Sequence, residues 1–338
     1  MESMIKIGLE SESFHLWLQN KRMDVFGLID KAAELGFDGV IINLVPKKNM
    51  TEGLGALGKD DHEHLLKVKK HIEKYNLFVE LDTRGIDIAH LSRVVEIAHL
   101  LGADIVRTFV MSGTYTFGYL AGKYIEGEQG DHLDKSLTEL RKLLPLLKKY
   151  RVKLAIENHE LEIMEEVLEL IKALDSPWVG SLLDTGNMMM SWQEPLKAAK
   201  LAAPHAITTH IKDHIICKYE DRYPVVGVPL GQGSIDLESI FEELYENSTL
   251  TRLNLEQCYP YASRLQRPAG TGGVDKLGEG TFAIKPLPFP DDIAPEEYYL
   301  YDGPLLEEMM ELQLKGTIAS LEYMRNLWRK VVKNKEEL

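Results

Sequence analysis

The sequence has few cysteines, no excess of positive charge and no long apolar run. Only Cys217 and Cys258 occur in 338 residues, which excludes a disulfide framework and is typical of a reducing cytoplasm. The formal net charge of −14 repels phosphate backbones, so nucleic acid is not an expected partner. No apolar run reaches about 18 residues, and the first ten residues lack the pattern of a signal peptide. We therefore expect a cytoplasmic globular protein that does not enter a membrane.

The sequence does contain eight short segments rich in Ile, Val and Leu, each followed by a segment with helical spacing. The predicted strands are Ile5–Leu9, Gly39–Leu44, Leu77–Leu81, Ile105–Val110, Lys153–His159, Val179–Leu183, Ile207–Ile211 and Leu253–Glu256. The predicted helices are Val25–Leu35, Asp60–Tyr75, Ile88–Leu101, His132–Tyr150, Leu161–Leu174, Glu194–Ala203, Leu237–Glu246 and Leu305–Val331. This alternation predicts an α/β fold, a (β/α)8 TIM barrel formed by one domain over residues 1–338. A doubly wound open sheet is the alternative, weakened because no glycine-rich phosphate fingerprint follows the first strand.

Three connections are too long to be plain turns. They follow the first, fourth and eighth strands, at Glu10–Met23, Met111–Asp131 and Gln257–Pro304. The last, at about residues 257–304, is rich in proline, glycine and tyrosine. Loops at the carboxyl end of a barrel build its active site, so we expect a lid or a docking surface there, with a tolerated surface excursion as the alternative.

Four acidic or imidazole side chains stand at the ends of strands five to eight: Glu157, Asp184, His210 and Glu256, separated by 27, 26 and 46 residues. Consecutive parallel strands bring such residues to one rim of the barrel. Three carboxylates packed together would repel one another, and a divalent cation removes that conflict. Three oxygen donors and one imidazole suit Mn²⁺ best. Mg²⁺, Co²⁺ and Fe²⁺ are acceptable alternatives, and Zn²⁺ is less natural.

The segments LAIENH, LLDTGN, HIKD and GQGSID, together with the order Glu–Asp–His–Glu, resemble the xylose isomerase-like barrel superfamily of sugar isomerases and epimerases. The resemblance covers about residues 4–257 and the last helix. It implies that these four residues bind Mn²⁺ or a similar ion, which coordinates adjacent oxygens of a keto sugar. It also implies proton abstraction next to a ketone through a metal-stabilised enediolate. In ketose epimerases the two metal-bound glutamates act from opposite faces, and here these would be Glu157 and Glu256.

The sequence also departs from the epimerase pattern. Asn187 follows the DTG motif, where epimerases often carry a histidine. His159 shares the strand face of Glu157 and titrates near neutral pH, so it is a candidate catalytic base, with a supporting role as the alternative. Lys212 shares a strand face with His210 and is a candidate for stabilising an oxyanion; a structural ion pair is its alternative.

A narrower resemblance concerns the substrate. The length of the chain, ENH on the fifth strand and the insertion after Glu256 are similar to the larger subunit of C-glycoside deglycosidases. That resemblance implies a lyase for 3-oxo-glycosides, in which the proton at sugar C2 is removed and the aglycone leaves from C1. It also implies an oligomeric complex with a small all-β partner subunit. A Mn²⁺-dependent ketose 3-epimerase or sugar isomerase, and a non-catalytic sugar-binding subunit, are the alternatives.

Several other residues have two interpretations. Arg107 is expected to bind substrate or to pair with a barrel carboxylate such as Glu80. His15 is either a sugar ligand or, more simply, a solvated loop histidine. Tyr115, Tyr119 and Tyr124 either stack on a sugar or aromatic aglycone or pack within their loop. Met188–Met190 is expected to contribute packing.

Overall fold

The computed structural model describes residues 5–45, 55–110, 128–288 and 301–337. Most of the predicted loop after the fourth strand, with Tyr115, Tyr119 and Tyr124, lies outside the described residues. The same holds for residues 289–300 of the insertion after the eighth strand.

Eight parallel strands form the main sheet, in the order β10-β1-β2-β3-β4-β5-β6-β7. Their bounds are β1 Lys6–Glu10, β2 Gly39–Asn43, β3 Phe78–Asp82, β4 Ile105–Phe109, β5 Lys153–Glu157, β6 Val179–Asp184, β7 Ala206–His210 and β10 Arg252–Leu255. A parallel bridge between Ile211 and Leu255 joins the two ends of the sheet and closes the ring. The predicted (β/α)8 barrel is therefore confirmed.

The helices lie between the strands as the sequence pattern predicts. Aspartates cap several of them; Asp24 Oδ1, for example, accepts a hydrogen bond from the amide of Gly27 at 2.9 Å. Gly36 and Gly102 end two helices in the left-handed conformation that favours glycine. The helices are α1 His15–Gln19, α2 Val25–Leu35, α3 His62–Lys74, α4 Ile88–Leu101, α5 Glu128–Tyr150, α6 Met164–Leu174, α7 Pro195–Ala202, α8 Leu237–Asn247 and α9 Gly303–Glu336. Among the described residues, no helix combines the length and the apolar composition needed to cross a bilayer.

Strand β5 ends at Glu157, two residues before the predicted end. The side chain of Asn158 explains this difference. Its Oδ1 accepts from the amide of Asp184 and its Nδ2 donates to the carbonyl of Asp184, both at 3.1 Å. A side chain thus replaces the next backbone pairing between β5 and β6.

A second sheet has no counterpart in the sequence prediction. It contains four strands in the order β11-β9-β8-β12, with bounds β8 Asp213–Cys217, β9 Val225–Val228, β11 Ala262–Ser263 and β12 Ile284–Lys285. Strands β8 and β9 form an antiparallel hairpin directly after β7. The signal was present, because DHIIC and VVGV are short apolar segments on either side of a polar turn.

The described part of the insertion packs against the loop after β5. The buried carboxylate of Glu160 accepts hydrogen bonds from Ser263 Oγ at 3.1 Å and from Gln266 Nε2 at 3.2 Å, and it also contacts the hydroxyl of Tyr261. These contacts connect the segment that follows β10 to the segment that follows β5.

The interior of the barrel contains a buried polar group near the amino ends of the strands. We call Glu80, Thr208, Arg252 and Asn254 the amino-end cluster. Glu80 Oε2 accepts from Thr208 Oγ1 at 2.8 Å and from Asn254 Nδ2 at 3.1 Å, and Glu80 Oε1 contacts Arg252 Nε. Gly8 makes room for this cluster, since a Cβ at that position would lie 2.5 Å from Asn254 Oδ1.

Candidate functional site

The structure brings together the four side chains predicted at the ends of four strands. We call Glu157, Asp184, His210 and Glu256 the carboxyl-end cluster. All four residues are buried, and one ligand atom from each lies within 4.8 Å of the others. The parallel register explains the meeting, since Asp184 on β6 lies directly opposite His210 on β7.

Two cationic side chains, Lys212 and Arg107, contact this cluster, and His210 within it contacts two of its carboxylates. Lys212 Nζ lies 3.0 Å from both Asp184 Oδ2 and Glu256 Oε1. His210 Nδ1 lies 2.6 Å from Glu256 Oε2 and 3.4 Å from Glu157 Oε1. The guanidinium of Arg107 contacts Glu157 Oε2. Each carboxylate therefore has an opposite charge beside it, as a dense buried group of acids requires.

The pKa values of the cluster are displaced in opposite directions. Burial raises the pKa of Asp184 to about 7; Lys212 opposes this rise, and Glu157 and Glu256 add to it. Burial also favours a higher pKa for Glu256, but Lys212 and His210 outweigh it and lower the value to about 2. Of these two carboxyl groups, Glu256 is the one that stays ionised at neutral pH, and Asp184 is the one that protonates more readily.

The donor set fits a divalent cation. Three carboxylates and one imidazole match the preferences of Mn²⁺ and related ions. His210 Nε2 is buried and makes no hydrogen bond to any residue in the described parts of the chain. A buried ring nitrogen without a partner, beside carboxylates this closely packed, is what a cation site requires. These residues can therefore hold a metal ion.

The loop after β6 holds one ligand in place. Asp184 Oδ1 accepts from the amides of Gly186 and Asn187, both at 2.8 Å, so Oδ2 is left for the interior of the cluster. Asn187 also donates from Nδ2 to Glu157 Oε1 at 3.2 Å and accepts from Lys212 Nζ at 3.4 Å. The residue that departs from the epimerase pattern thus links two of the cluster residues to Lys212.

The candidate base His159 lies beside the cluster, on the half-buried rim. Its ring stacks on Phe109, with centroids 3.9 Å apart and planes inclined by 10°. Burial, together with the positive charges of Arg107 and Lys212, lowers the pKa of His159 to about 3, although Glu157 opposes that shift. The imidazole is therefore neutral at physiological pH, and its free nitrogen lone pair takes up a proton only where the surroundings stabilise the imidazolium.

Arg107 pairs with barrel carboxylates, as expected, although Glu80 is not one of them. Its Nη1 lies 2.7 Å from Asp82 Oδ1, and its Nη2 contacts Glu157. Glu80 lies two residues deeper on β3, in the amino-end cluster with Arg252. The period of two along a strand puts Glu80 and Asp82 on one face but in different layers of the barrel.

The neighbours Lys212 and Asp213 have separate surroundings. Lys212 pairs with Asp184 and Glu256, as described above. The carboxylate of Asp213 accepts from the amides of Gly231 and Gly233, both at 2.9 Å, and so fixes the GQGSID loop. Lys212 therefore points to the cluster, while Asp213 holds a loop.

His15 is buried and is not a solvated loop histidine, so the simpler interpretation is wrong. Its Nδ1 lies 2.9 Å from the carbonyl of Glu12 and 3.0 Å from Gln313 Nε2. The expectation for Met188–Met190 is confirmed, since all three are completely buried in the main hydrophobic core.

The sequence analysis missed three polar residues on the other side of the rim. Glu10, Asn43 and Asp82 end strands β1, β2 and β3, and all three are buried. Their signal was the polar last residue of each apolar strand, as in KIGLE, GVIIN and FVELD.

Known proteins resemble this chain in sequence and in fold. Residues 29–270 match the family described as xylose isomerase-like TIM barrel. A 3-oxo-isoapionate decarboxylase of Pectobacterium atrosepticum is 27% identical over 199 residues, which cover 58% of this chain and 67% of the relative.

Two solved structures share the fold at low sequence identity. An L-ribulose 3-epimerase superposes with a TM-score of 0.63 at 16% identity, and the match covers 98% of this chain and 97% of the epimerase chain. The IolI protein with a bound zinc atom gives a TM-score of 0.61 at 16% identity, and the match covers 97% of this chain and 99% of the IolI chain. The family match spans well over half of the sequence, and this chain therefore belongs to the xylose isomerase-like TIM barrel family.

Proposed function

We propose that this protein is a metal-dependent carbohydrate lyase, which removes the proton next to the ketone of a 3-oxo-glycoside and eliminates the aglycone. The observation that carries the proposal is the position of His159, a neutral imidazole stacked on Phe109 at the edge of the carboxyl-end cluster. Membership of the xylose isomerase-like family identifies the protein as a sugar-processing enzyme. The residues at the rim support elimination from a 3-oxo-glycoside as the reaction.

The contacts of the two glutamates favour a single base. In an epimerase that uses Glu157 and Glu256 from opposite faces, one glutamate accepts the proton and the other, protonated, returns a proton to the opposite face. Here Glu256 lies within 3.0 Å of Lys212 and 2.6 Å of His210, and Glu157 contacts Arg107. The pKa values do not separate these glutamates from His159, because the pKa of His159 is lowered as well. The contacts do, since the carboxylate oxygens of both glutamates already face cations, and we therefore take them as metal ligands and His159 as the base.

The proposed elimination needs no oxidant or reductant. His159 accepts the proton from sugar C2, and the electron pair forms the C1=C2 double bond as the bond from C1 to the aglycone breaks. The aglycone leaves with the bonding electrons and takes up a proton. Lys212, whose Nζ already contacts Asp184, Glu256 and Asn187, would contribute its positive charge beside the ketone oxygen while negative charge develops there.

Glu157, Asp184, His210 and Glu256 would hold the divalent cation, for which we propose Mn²⁺. When bound, the cation supplies positive charge to the ketone oxygen and so acidifies the neighbouring carbon. The decarboxylase relative supports this view, because loss of CO₂ from a 3-oxo acid and removal of a proton beside a ketone both leave an enolate.

A ketose 3-epimerase or sugar isomerase is the second candidate, favoured by the fold shared with the L-ribulose 3-epimerase. The test is to incubate the Mn²⁺-loaded protein with a 3-oxo-C-glucoside and, separately, with D-fructose, and to analyse both by chromatography. Release of the aglycone without change of the fructose supports the lyase. Epimerisation of fructose without release of aglycone would replace the lyase by the second candidate.

We also propose that the insertion after β10 docks a small all-β partner subunit in an oligomeric complex. Strand β12 is at the edge of the second sheet, and Ile284 on it is 43% exposed. Exposed sheet edges are common sites for pairing with a second protein. Isolation of the protein from its own cells, followed by mass spectrometry of stoichiometric companions, tests this. Recovery of this chain alone or only with copies of itself, without a β-rich companion, would refute the proposed docking.

A further inference from the structure

Strands β1 to β3 present polar side chains to the same interior as the carboxyl-end cluster. Asn43 lies opposite Asp82 in the register of β2 and β3, and Glu10 lies opposite Ile41, two residues before Asn43. Registered partners in a sheet point to the same face. Ile41 points inward, because its side chain would touch a Cβ placed on the inward-facing Gly8. Glu10, Asn43 and Asp82 therefore all point into the mouth of the barrel.

The side chain of Asn43 lacks a partner that its burial demands. The residue is 8% exposed, and its Oδ1 is buried without a hydrogen bond to any residue that the structure describes. Buried amide oxygens are normally paired, and an orphan in a cleft is satisfied by a ligand that donates a hydrogen bond.

The two carboxylates beside Asn43 are held in fixed orientations. Glu10 Oε1 accepts from Ser11 Oγ at 2.8 Å, and its Oε2 contacts the amide of Glu12. Asp82 Oδ1 lies 2.7 Å from Arg107 Nη1. Each carboxylate oxygen has a second lone pair, so both groups can still accept a hydrogen bond from a ligand.

The charges of this region exclude one class of ligand. Glu10 and Asp82 add two carboxyl groups to the three of the carboxyl-end cluster. Among the described residues, the cations that face these five carboxyl groups are Arg107, Lys212 and His210, and each already contacts carboxylates of the protein: Arg107 contacts Asp82 and Glu157, Lys212 contacts Asp184 and Glu256, and His210 contacts Glu256. A ligand carboxylate or phosphate placed here would face several acids, whereas hydroxyl groups would find acceptors.

We propose that Glu10, Asn43 and Asp82 form a hydroxyl-binding subsite that takes the hydroxyl groups of an uncharged sugar and rejects sugar acids and sugar phosphates. The proposal rests on the proposed function, because it takes the ketone of the same sugar to lie at the carboxyl-end cluster. It assigns the two halves of the rim to two parts of one substrate.

The test uses a ligand that cannot be eliminated. The 3-oxo derivative of 1,5-anhydro-D-glucitol has the ketone and the hydroxyl groups of a 3-oxo-glucoside but no aglycone. Its binding to the Mn²⁺-loaded protein is measured by calorimetry for the wild type and for Asn43→Ala. We expect about tenfold weaker binding by the variant, the loss of one hydrogen bond to a buried acceptor. Asn247→Ala, an exposed asparagine at the end of α8, is the matched control and should bind as the wild type does.

Deoxy analogues of the same compound separate contact from general damage. If Asn43 binds one hydroxyl, the analogue lacking that hydroxyl binds equally to wild type and Asn43→Ala, while the other analogues keep the tenfold difference. Equal losses for every analogue would show a merely structural role and overturn the proposal. Asn43→Ser is uncharged and too short to keep the amide oxygen in place, so it should show the same loss of affinity, and it serves if Asn43→Ala does not fold.

A further test compares a neutral and an acidic sugar and uses the wild-type protein alone. The same compound oxidised to a carboxylate at C6 should bind at least about tenfold more weakly than the uncharged form. Equal binding of acid and neutral sugar, or no binding of the neutral probe, would overturn the subsite. Release of aglycone from a 3-oxo-C-glucoside is scored separately. Release that is unchanged in Asn43→Ala refutes the subsite alone, whereas absent release with intact hydroxyl selectivity refutes only the lyase.

Discussion

The barrel encloses two buried polar clusters, and they are built in opposite ways. In the amino-end cluster, both oxygens of Glu80 have partners, supplied by Thr208, Asn254 and Arg252. In the carboxyl-end cluster, three carboxylates share Lys212, His210 and Arg107, and one ring nitrogen of His210 has no partner among the described residues. Asn254 Oδ1 in the first cluster is also buried without a partner among the described residues. The carboxylate and guanidinium of that cluster are nevertheless paired and stabilise the fold, whereas the second cluster leaves a ring nitrogen beside closely packed carboxylates for a cation. The predictions that follow test this division.

The largest effect is expected from removing a ligand of the carboxyl-end cluster. Glu256→Ala should weaken Mn²⁺ binding at least about 100-fold, since even indirect partners of metal ligands change affinity by about 10- to 100-fold. Turnover should be lost with it. Metal content after dialysis and a competition titration measure this; metal binding equal to that of the wild type would exclude the cluster as the cation site.

The next effect separates the candidate base from the ligands. His159→Ala should lower turnover by about 10²- to 10⁴-fold, the usual contribution of general base catalysis, and leave metal content unchanged. Phe109→Leu is the matched control, which retains the imidazole but removes the stacked ring, and its loss should be much smaller. If His159→Ala lost metal and activity together, His159 would be a coordinating residue.

The amino-end cluster should respond in stability alone. Glu80→Ala leaves the guanidinium of Arg252, whose side chain is 13% exposed, without its buried partner. We expect a loss of about 2–3 kcal/mol in the free energy of unfolding, measured by urea denaturation. The double variant Glu80→Ala/Arg252→Met should recover part of that loss. Reduced Mn²⁺ affinity in Glu80→Ala would contradict the separation of the two clusters.

The smallest effect is a dependence of metal affinity on pH. The pKa of Asp184 is raised to about 7, chiefly by burial, so below pH 7 a proton competes with the cation for this carboxylate. Loss of this proton should raise the affinity about tenfold in all between about pH 6 and pH 8. His210, whose pKa is also raised, despite burial, by its contacts with Glu256 and Glu157, must lose a proton too, so the rise should continue to higher pH. Chelator competition at three pH values measures this. A flat profile would show that Asp184 is already ionised in the metal-free protein.

The sequence was sufficient for the barrel because each strand and helix carries its own periodic pattern. It also identified the residues of the carboxyl-end cluster, since parallel strands that end in a carboxylate or an imidazole must meet at one rim. It failed where a side chain changes the backbone, as when Asn158 ends β5 early, and at the short strands of the second sheet. The partners of Arg107 depended on depth within the barrel, which the stagger of the strands sets and a linear pattern does not contain.

The closure of the barrel is held by few hydrogen bonds. Ile211 N donates to Asn254 O at 2.8 Å, and Glu256 N donates to Ile211 O at 3.1 Å. His210 and Glu256 stand on either side of this seam. A cation held by both would bridge β7 and β10, the seventh and eighth strands of the barrel, at the place where the pairing of Ile211 with Leu255 closes the ring. Amide hydrogen exchange at Ile211 and Glu256 should then slow when the ion binds. The metal site would then also stabilise the closure of the barrel, and removal of the ion would weaken the pairing of these two strands.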